Sequence, residues 1–307
     1  MPECLPNPAG VHDQAYNQPT RQLMIVFENT TKSFRRNKVL DSVNLQINAG
    51  DRVALVGSNG AGKTTLIRCL LGEYLHDGKV TVQGLTPREH RKEVLKRLGF
   101  VPQLPPPVRM PVGQLIRFAA AVCGSNPAQM QDIAQELGLD AKAIRRQPFN
   151  KLSGGQKQKL LIAIALGREC DVLVLDEPAA NLDPEARHTL FSLLAERQEK
   201  TAMLISSHRL DEVAALVNRV VELDLGKVVL DDHVADDVSI SSLLNSAVTL
   251  SRADDAFAQT IREWGFTPSD NQCSWSGQVA GPDRLRFLGM LSRYAGLLKG
   301  IHLEEKR

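Results

Sequence analysis

The chain has 307 residues, of which 43% are hydrophobic, and this is enough for one large domain with a full core and a smaller second domain. Its 37 Lys and Arg nearly balance its 35 Asp and Glu, so no strong positive field would hold nucleic acid, and we expect no nucleic-acid partner. The five cysteines are scattered and form no Cys-x-x-Cys pair, which favours a reducing compartment over a disulfide framework or a zinc site.

The first part of the chain contains a polar tail and then short apolar stretches. Residues 1–22 carry four prolines and no basic-then-apolar pattern, so we expect a disordered tail rather than a secretion signal. From Leu23 to Asp51, stretches such as Met24-Ile25-Val26-Phe27 alternate with polar turns, which predicts antiparallel strands. All strongly apolar runs are far shorter than the roughly 20 residues of a membrane-spanning helix, so we expect none.

A glycine-rich loop follows the next apolar segment. Val53-Ala54-Leu55-Val56 runs directly into Gly57-x-x-x-x-Gly62-Lys63-Thr64, and residues 63–71 have a helix-compatible composition. In such a loop the backbone N–H groups surround phosphate oxygens, the lysine reaches the β- and γ-phosphates, and the threonine hydroxyl binds Mg²⁺. A glycine-rich turn without a ligand is the alternative. The residues expected to bind ATP are Gly57, Ser58, Asn59, Gly60, Ala61, Gly62, Lys63, Thr64 and Thr65.

The middle of the chain changes from strands to helices and back. Three prolines at 105–107 precede helix-like segments, which predicts a helical insertion at about 104–152. The elements expected after it are a helix at 155–167, a strand at 172–176, a helix at 184–199 and a strand at 203–206. Helices that alternate with buried strands indicate a mostly parallel sheet.

Two acidic residues follow the apolar residues of the strand predicted at 172–176. Asp176 stands at the carboxyl end of this strand, where ligands of open α/β sheets bind, and is suited to holding Mg²⁺. Glu177 is then placed to polarise the water that attacks the γ-phosphate. An isolated pair of acids is more often a helix N-cap or a surface charge, but the phosphate loop upstream favours the catalytic interpretation.

The end of the chain has its own pattern of strands and helices. We expect a main domain at 23–235 and a small α+β domain at 245–307, with the boundary near 235–245. The acidic residues Asp231-Asp232-His233 and Asp236-Asp237 are sequence neighbours without the spacing of metal ligands, so we interpret them as a solvated linker.

A five-residue motif, Leu152-Ser153-Gly154-Gly155-Gln156, lies between the helical insertion and the strand that ends in Asp176. With the phosphate loop before it and the two carboxylates after it, the motif resembles the LSGGQ signature of ABC transporter ATPases, over about residues 24–230. The resemblance implies an α/β fold, the P-loop NTPase fold of the ABC type, with a β-rich N-terminal subdomain, the helical insertion and a small α+β C-terminal domain. It also implies hydrolysis of ATP to ADP and phosphate, with Mg²⁺.

The same resemblance gives roles to single residues. Phe34 resembles the aromatic residue that stacks on adenine, where Tyr is more usual. Gln103 resembles the Q-loop glutamine near Mg²⁺ and the attacking water, and His208 resembles the switch histidine that contacts the γ-phosphate. A core or surface phenylalanine, an ordinary loop glutamine, and a solvated or core histidine are the alternatives. Asn181-Leu182-Asp183 resembles the D-loop, with Asn181 where many relatives have Gly.

The resemblance further implies partners. In the family, the residues matching Ser153, Gly154, Gly155 and Gln156 lie at a helix N-terminus and bind the γ-phosphate held by a second copy, so catalysis requires a dimer. The family's ATPase subunits also bind integral membrane permease subunits, which implies a peripheral location on the cytoplasmic face of the inner membrane.

Two finer hypotheses concern the biological task. The single cassette, the insertion and the α+β tail resemble the type-2 export group, and the tail around 262–264 and 301–303 is most similar to the branch that serves maturation of the copper enzyme nitrous oxide reductase. A dimer-stabilising or regulatory tail without bearing on cargo is the alternative. The alternative function is a soluble ABC ATPase acting on ribosomes or another macromolecular complex, although that class usually carries two cassettes or long coiled coils.

Overall fold

The computed structural model describes residues 22–197, 201–208, 210–214, 216–233, 243–269, 273–280 and 284–305. The tail expected at 1–22 lies outside the described residues apart from Gln22, as do Asp236, Asp237 and most of the expected boundary at 235–245.

The strands are β1 (Leu23–Phe34), β2 (Asn37–Asn48), β3 (Arg52–Val56), β4 (Asp77–Val82), β5 (Leu98–Val101), β6 (Val172–Asp176), β7 (Ala202–Ser206), β8 (Arg219–Asp224), β9 (Lys227–His233), β10 (Leu243–Leu250), β11 (Thr267–Pro268), β12 (Ser274–Ala280) and β13 (Leu298–Glu305). The helices are α1 (Lys63–Leu70), α2 (Arg91–Arg97), α3 (Val112–Cys123), α4 (Pro127–Glu136), α5 (Gly154–Leu166), α6 (Pro184–Ala195), α7 (Leu210–Val213), α8 (Asp255–Glu263) and α9 (Arg284–Ser292).

The N-terminal region is an antiparallel sheet with the strand order β2-β1-β4. The antiparallel pairing predicted for this region is confirmed, but β1 and β2 are longer than the apolar stretches in the sequence. Register shifts between Phe27 and Thr30, and again between Thr30 and Lys32, mark irregularities of the β-bulge kind in the pairing. A bulge changes which face a side chain occupies, and this hides a long strand from a simple alternation pattern.

The central sheet holds the strands that position the functional residues. Its order is β5-β6-β7-β3-β8-β9, and its pairs are parallel except for the antiparallel pair of β8 with β9. The expectation of a mostly parallel sheet is therefore confirmed. Because β6, β7 and β3 are consecutive neighbours, the segments that follow their carboxyl ends meet at one edge of the sheet.

The helical insertion packs onto this sheet through a shared apolar core. Ile116 of α3, Met130 of α4 and Leu160 of α5 are all buried in the same cluster as Leu175 of β6. Phe149, which is fully buried, begins a short 3₁₀ helix just before the five-residue motif. The position of the motif is thus fixed by the core that the insertion shares with the sheet.

The C-terminal region is a four-stranded antiparallel sheet with the order β11-β12-β10-β13 and two helices, α8 and α9. This βαββαβ succession is the split β-α-β arrangement. Phe257, Trp275 and Phe287 form the centre of its core. Helix α9 lies against α7, so this region contacts the segment that follows β7.

Residues 231–233 do not form the linker that the sequence suggested, because they belong to β9. Asp231 lies in β9, and its two carboxylate oxygens accept hydrogen bonds of 2.7 Å each from Nε and Nη2 of Arg219 in β8. Asp231 and His233 are nonetheless exposed, as the interpretation expected.

Two sequence expectations concern metals and membranes. Within the described residues there is no cluster of three or more His, Cys, Asp or Glu that could hold a metal ion. In the same part of the chain, no helix has the length and apolar character needed to cross a membrane.

Burial raises the pKa of the Cys69 thiol to about 11, which keeps this cysteine protonated and unreactive.

Candidate functional site

The phosphate loop connects β3 to α1, as the sequence predicts. The Lys63 side chain is buried and its ammonium donates to the carbonyl oxygens of Gly57 at 2.6 Å and of Ser58 at 3.3 Å. At Gly57 the backbone φ is +147° and a Cβ would lie 2.2 Å from the Leu223 carbonyl oxygen of β8, so only glycine fits there. The loop is thus held closely against the sheet.

The loop borders a cavity of about 380 Å³. This volume suits a small ligand, and its walls combine backbone N–H groups with a few polar side chains. Asn37 and Val39, at the start of β2, also line it, and sequence reasoning missed both. Eight of the nine predicted ATP-binding loop residues are among its walls, which are Asn37, Val39, Ser58, Asn59, Gly60, Ala61, Gly62, Lys63, Thr64, Thr65, Gln103 and Glu177.

Two carboxylates stand at the edge of the sheet beside this loop. Asp176 ends β6 and is 2% exposed, and Glu177 follows it and reaches the cavity. Burial lowers the pKa of the Lys63 ammonium, while the negative charges of Glu177 and Asp176 act in the opposite direction. Both carboxylates therefore lie close enough to Lys63 for their fields to act on it.

Glu177 also contacts the predicted switch histidine. The Nδ1 of His208 lies 2.8 Å from Oε2 of Glu177. A carboxylate oxygen of an ionised glutamate only accepts, so Nδ1 carries the proton and donates it. A second cavity, of about 130 Å³, lies on this side of Glu177 and is lined by His208, Ser207 and Arg187 among others.

The donor set at the cavity suits a hard divalent cation. Thr64 and Gln103 line the cavity with a hydroxyl and an amide oxygen, and Asp176, which ends β6 outside the described walls, adds a carboxylate next to Glu177. Oxygen ligands of these kinds are those that Mg²⁺ prefers. Because Asp176 is almost completely buried, its negative charge favours a cation nearby. These residues therefore fit the predicted metal.

The predicted adenine-stacking residue lies outside the lining of the cavity. Phe34, at the end of β1, is 41% exposed, and its ring meets that of Tyr74 edge-on at a centroid distance of 5.2 Å. The Lys32 ammonium lies 4.8 Å from the centroid of the Phe34 ring. Tyr74 is an aromatic neighbour that sequence reasoning missed, and the pair presents an exposed aromatic surface.

The five-residue motif forms the beginning of α5. Ser153 is the N-cap, and its hydroxyl accepts from the Gln156 N–H while the Gln156 side chain accepts from the Ser153 N–H. This is a capping box, and the Ser-x-x-Gln spacing in the sequence is its signal. Ser153 and Gly154 are exposed, so a rigid helix N-terminus with its partial positive charge faces outward.

The predicted D-loop packs on this motif within the same chain. A Cβ on Gly155 would lie 3.0 Å from the carbonyl oxygen of Asn181, so the two backbones approach closely. Asp183 caps α6 by accepting from the Ala186 N–H, and it pairs with the Lys159 ammonium of α5 at 2.7 Å. The hydrogen bond from Lys159 holds the pKa of Asp183 below its usual range.

The structure therefore separates the predicted site residues into two groups. Lys63, Thr64, Gln103 and Glu177 share one cavity, but none of the residues 153–156 and not Asp183 is among its described walls. One chain brings together the residues predicted to bind phosphate and to orient water, and presents the five-residue motif elsewhere.

The chain is similar in sequence and in fold to known transporter proteins. Residues 40–180 match the family model described as ABC transporter. The phosphonates import ATP-binding protein PhnC of Cupriavidus pinatubonensis is 36% identical over 227 residues, which cover 66% of this chain and 80% of that relative. The energy-coupling factor transporter ATP-binding protein EcfA2 of Clostridium tetani is 29% identical over 267 residues, covering 81% of this chain and 92% of the relative. A solved ATP binding subunit of an ABC transporter superposes with a TM-score of 0.63 at 25% identity, covering 70% of this chain and 91% of that one. With its phosphate loop, two carboxylates and capped LSGGQ helix, the chain belongs to the ABC transporter family as an ATP-binding domain, an ATPase coupled to transport.

Proposed function

We propose that two copies of this chain form the ATPase of a membrane transporter, with each ATP held between Lys63 of one copy and Ser153 of the other. The observation that carries this proposal is the separation of the LSGGQ helix from the phosphate cavity. That helix begins with exposed residues, and an exposed helix N-terminus is a ready site for the phosphate of a second molecule.

The residues at the cavity have different roles in hydrolysis. The loop N–H groups and Lys63 bind the phosphates, and Glu177 orients and deprotonates the attacking water. His208, which donates to Glu177 at 2.8 Å, keeps this carboxylate in place, and its resemblance to the switch histidine supports a contact with the γ-phosphate. Thr64, Asp176 and Gln103 would hold Mg²⁺. When bound, Mg²⁺ neutralises the charge that develops on the phosphate oxygens.

The helical insertion offers a surface for permease subunits. Leu104 directly follows Gln103, and Phe118 and Val122 are one helical turn apart on α3; all three are more than half exposed. Exposed apolar side chains of this size are typical of an interaction site. We infer that the permease docks here, which would place the chain at the cytoplasmic face of the membrane.

Direction and cargo are the finest part of the proposal. We propose export, because the cassette and its α+β tail are similar to those of the type-2 export group. The most specific form of this proposal is a transporter that serves copper-site maturation. The similarity to a phosphonates importer provides the competing hypothesis. Uptake and efflux by vesicles carrying the purified transporter distinguish the two, because ATP added outside inverted vesicles drives an exported cargo inward.

A mixing experiment tests the composite site. Lys63→Ala removes the phosphate ligand of one half-site and Ser153→Arg blocks the other, so each variant alone is inactive. Mixed copies form dimers with one intact site, and equal amounts should recover about a quarter of the wild-type ATPase rate if subunits pair at random as symmetric dimers. A mixture no more active than its separate components, with mixed dimers demonstrated by differently tagged copies, contradicts the proposal.

The transporter assignment has a separate test. The tagged chain is purified from detergent-solubilised membranes and the proteins bound to it are identified. We expect a membrane permease, and Phe118→Glu, which puts a charge on the apolar surface of α3, should release it without changing the ATPase rate of the isolated chain. Recovery of ribosomes alone would instead support the soluble alternative.

A further inference from the structure

We propose that Ser206 is a positioning residue for catalysis, which sets the backbone of Glu177 and so directs its carboxylate. The proposal rests on the role of Glu177 given above. Ser206 ends β7, the strand next to β6, and its side chain is fully buried beside the two carboxylates.

The Ser206 hydroxyl connects two successive residues, Asp176 at the end of the adjacent strand β6 and Glu177 after it. It donates to Oδ1 of Asp176 at 2.6 Å and accepts from the Glu177 N–H at 2.9 Å. The Glu177 N–H also lies 3.3 Å from the Ser206 carbonyl oxygen, which makes a longer and weaker contact. The short bond to the hydroxyl therefore dominates the environment of this N–H.

The direction of both hydrogen bonds is fixed by chemistry. A serine hydroxyl has one proton, an ionised carboxylate only accepts, and a backbone N–H only donates. Asp176 therefore accepts the hydrogen bond from the hydroxyl. The oxygen lone pairs of Ser206 then face the Glu177 N–H. A hydrogen bond to a charged acceptor is strong, so Asp176 holds the hydroxyl in this orientation.

Glu177 needs such support because its backbone is unusual. Its φ is +49°, a left-handed conformation that residues other than glycine rarely adopt. This turn brings the carboxylate to His208 and to the edges of both cavities. A glutamate released from this conformation would direct its side chain elsewhere. The hydrogen bond from the Glu177 N–H to the Ser206 hydroxyl therefore contributes to the geometry of the reaction and not only to packing.

The first experiment separates positioning from binding. Ser206→Ala should lower kcat for ATP about 10- to 100-fold, the usual loss when the hydrogen-bond partner of a site residue is removed. The KM and the affinity for a fluorescent ATP analogue should stay within about threefold, because Ser206 is not among the walls of the phosphate cavity. Ser206→Thr, which keeps a hydroxyl, should restore most of the rate. The matched control is Ser246→Ala, which removes another buried strand hydroxyl, one that donates to the Leu244 carbonyl oxygen in the C-terminal domain.

A double-mutant cycle shows whether Ser206 acts through Glu177. In a Glu177→Gln background, Ser206→Ala should cause no further loss of the residual rate, because the group that it positions is already disabled. The same fold-loss in both backgrounds overturns the proposal, as does a Ser206→Ala enzyme within twofold of the wild-type kcat.

A second measurement does not depend on turnover. Hydrogen exchange at the Glu177 amide, followed by NMR in the protein without nucleotide, should be at least tenfold faster in Ser206→Ala and close to wild type in Ser206→Thr. Unchanged exchange overturns the proposed bond. If Glu177→Gln itself keeps wild-type turnover, the proposed function of Glu177 fails, whereas normal exchange and normal kcat in Ser206→Ala with an inactive Glu177→Gln rejects only the positioning role.

Discussion

At the scale of single residues, two glycines of the phosphate loop differ in a way that can be measured. Gly57 and Gly60 both have positive φ, +147° and +88°, but a Cβ would meet the Leu223 carbonyl oxygen only at Gly57. Alanine at either position should cost about 1–3 kcal/mol of stability for its backbone conformation. Gly57→Ala should cost about 1–3 kcal/mol more, because β8 must move to relieve the contact.

Urea denaturation of the two alanine variants tests this difference. Because both changes remove a glycine from the same loop, their comparison isolates the contact with Leu223 from the loss of backbone freedom. Equal unfolding free energies for the two variants would show that β8 moves away from the new Cβ without a loss of stability.

At the same scale, one part of the site could be predicted from the sequence and another part could not. The phosphate loop could be predicted because its chemistry lies within one contiguous segment, from Gly57 to Thr64. The contact of Ser206 with Asp176 could not, because the two residues are 30 apart in sequence and meet only when β6 and β7 pair. Tyr74 beside Phe34 was missed for the same reason: its contact depends on tertiary packing.

At the scale of elements, the N-caps of α4 in the insertion and of α5 after it offer a matched pair. Ser153 caps α5 and Asn126 caps α4, each by accepting from a backbone N–H of the first turn. Replacement of either by alanine should cost about 1 kcal/mol of stability. Only Ser153→Ala should also lower the ATPase rate, because in the proposed dimer α5, and not α4, presents its N-terminus to the partner's nucleotide.

Thermal unfolding and steady-state ATPase assays of the two variants give the result. Asn126→Ala is the control for the loss of a helix cap. If both variants lose activity in proportion to stability, the N-terminus of α5 has no special role in catalysis.

Elements with strong local signals were predicted, and those without were not. The Ser-x-x-Gln spacing marks the start of α5, and Pro184 marks the start of α6. The hairpin of β8 and β9 was missed, because Leu225 occupies a turn position with a φ of +45° where Gly or Asn is usual. Gly226, which follows it with a φ of +79°, is the one usual turn residue at these two positions.

At the scale of the whole molecule, one buried arginine joins the two sheets of the ATPase domain. Arg219 in β8 donates to the Gln46 carbonyl oxygen of β2 at 2.6 Å, to Asp51 at 3.1 Å and to Asp231 of β9. Its removal takes away the guanidinium that lies 3.1 Å from the carboxylate of Asp51, which is 1% exposed. Arg219→Met should therefore destabilise the protein by about 3–5 kcal/mol.

An exposed ion pair is the control for this change. The Lys79 ammonium lies 3.7 Å from a Glu28 carboxylate oxygen between two strands of the N-terminal sheet, and both side chains are well exposed. Lys79→Met should change the unfolding free energy by no more than about 1 kcal/mol. Similar effects of the two substitutions in urea denaturation would mean that Arg219 contributes no more than a surface charge.

The separation of the LSGGQ helix from the phosphate cavity has a genetic consequence. If the chain dimerises as proposed, a cell that makes equal amounts of wild-type and Ser153→Arg chains contains mixed dimers that each carry one blocked site, and about a quarter of its randomly paired dimers are fully wild type. If transport requires both sites, this allele is dominant negative. An allele whose product cannot fold, such as a strongly destabilised Arg219 variant, removes only its own copies and is recessive.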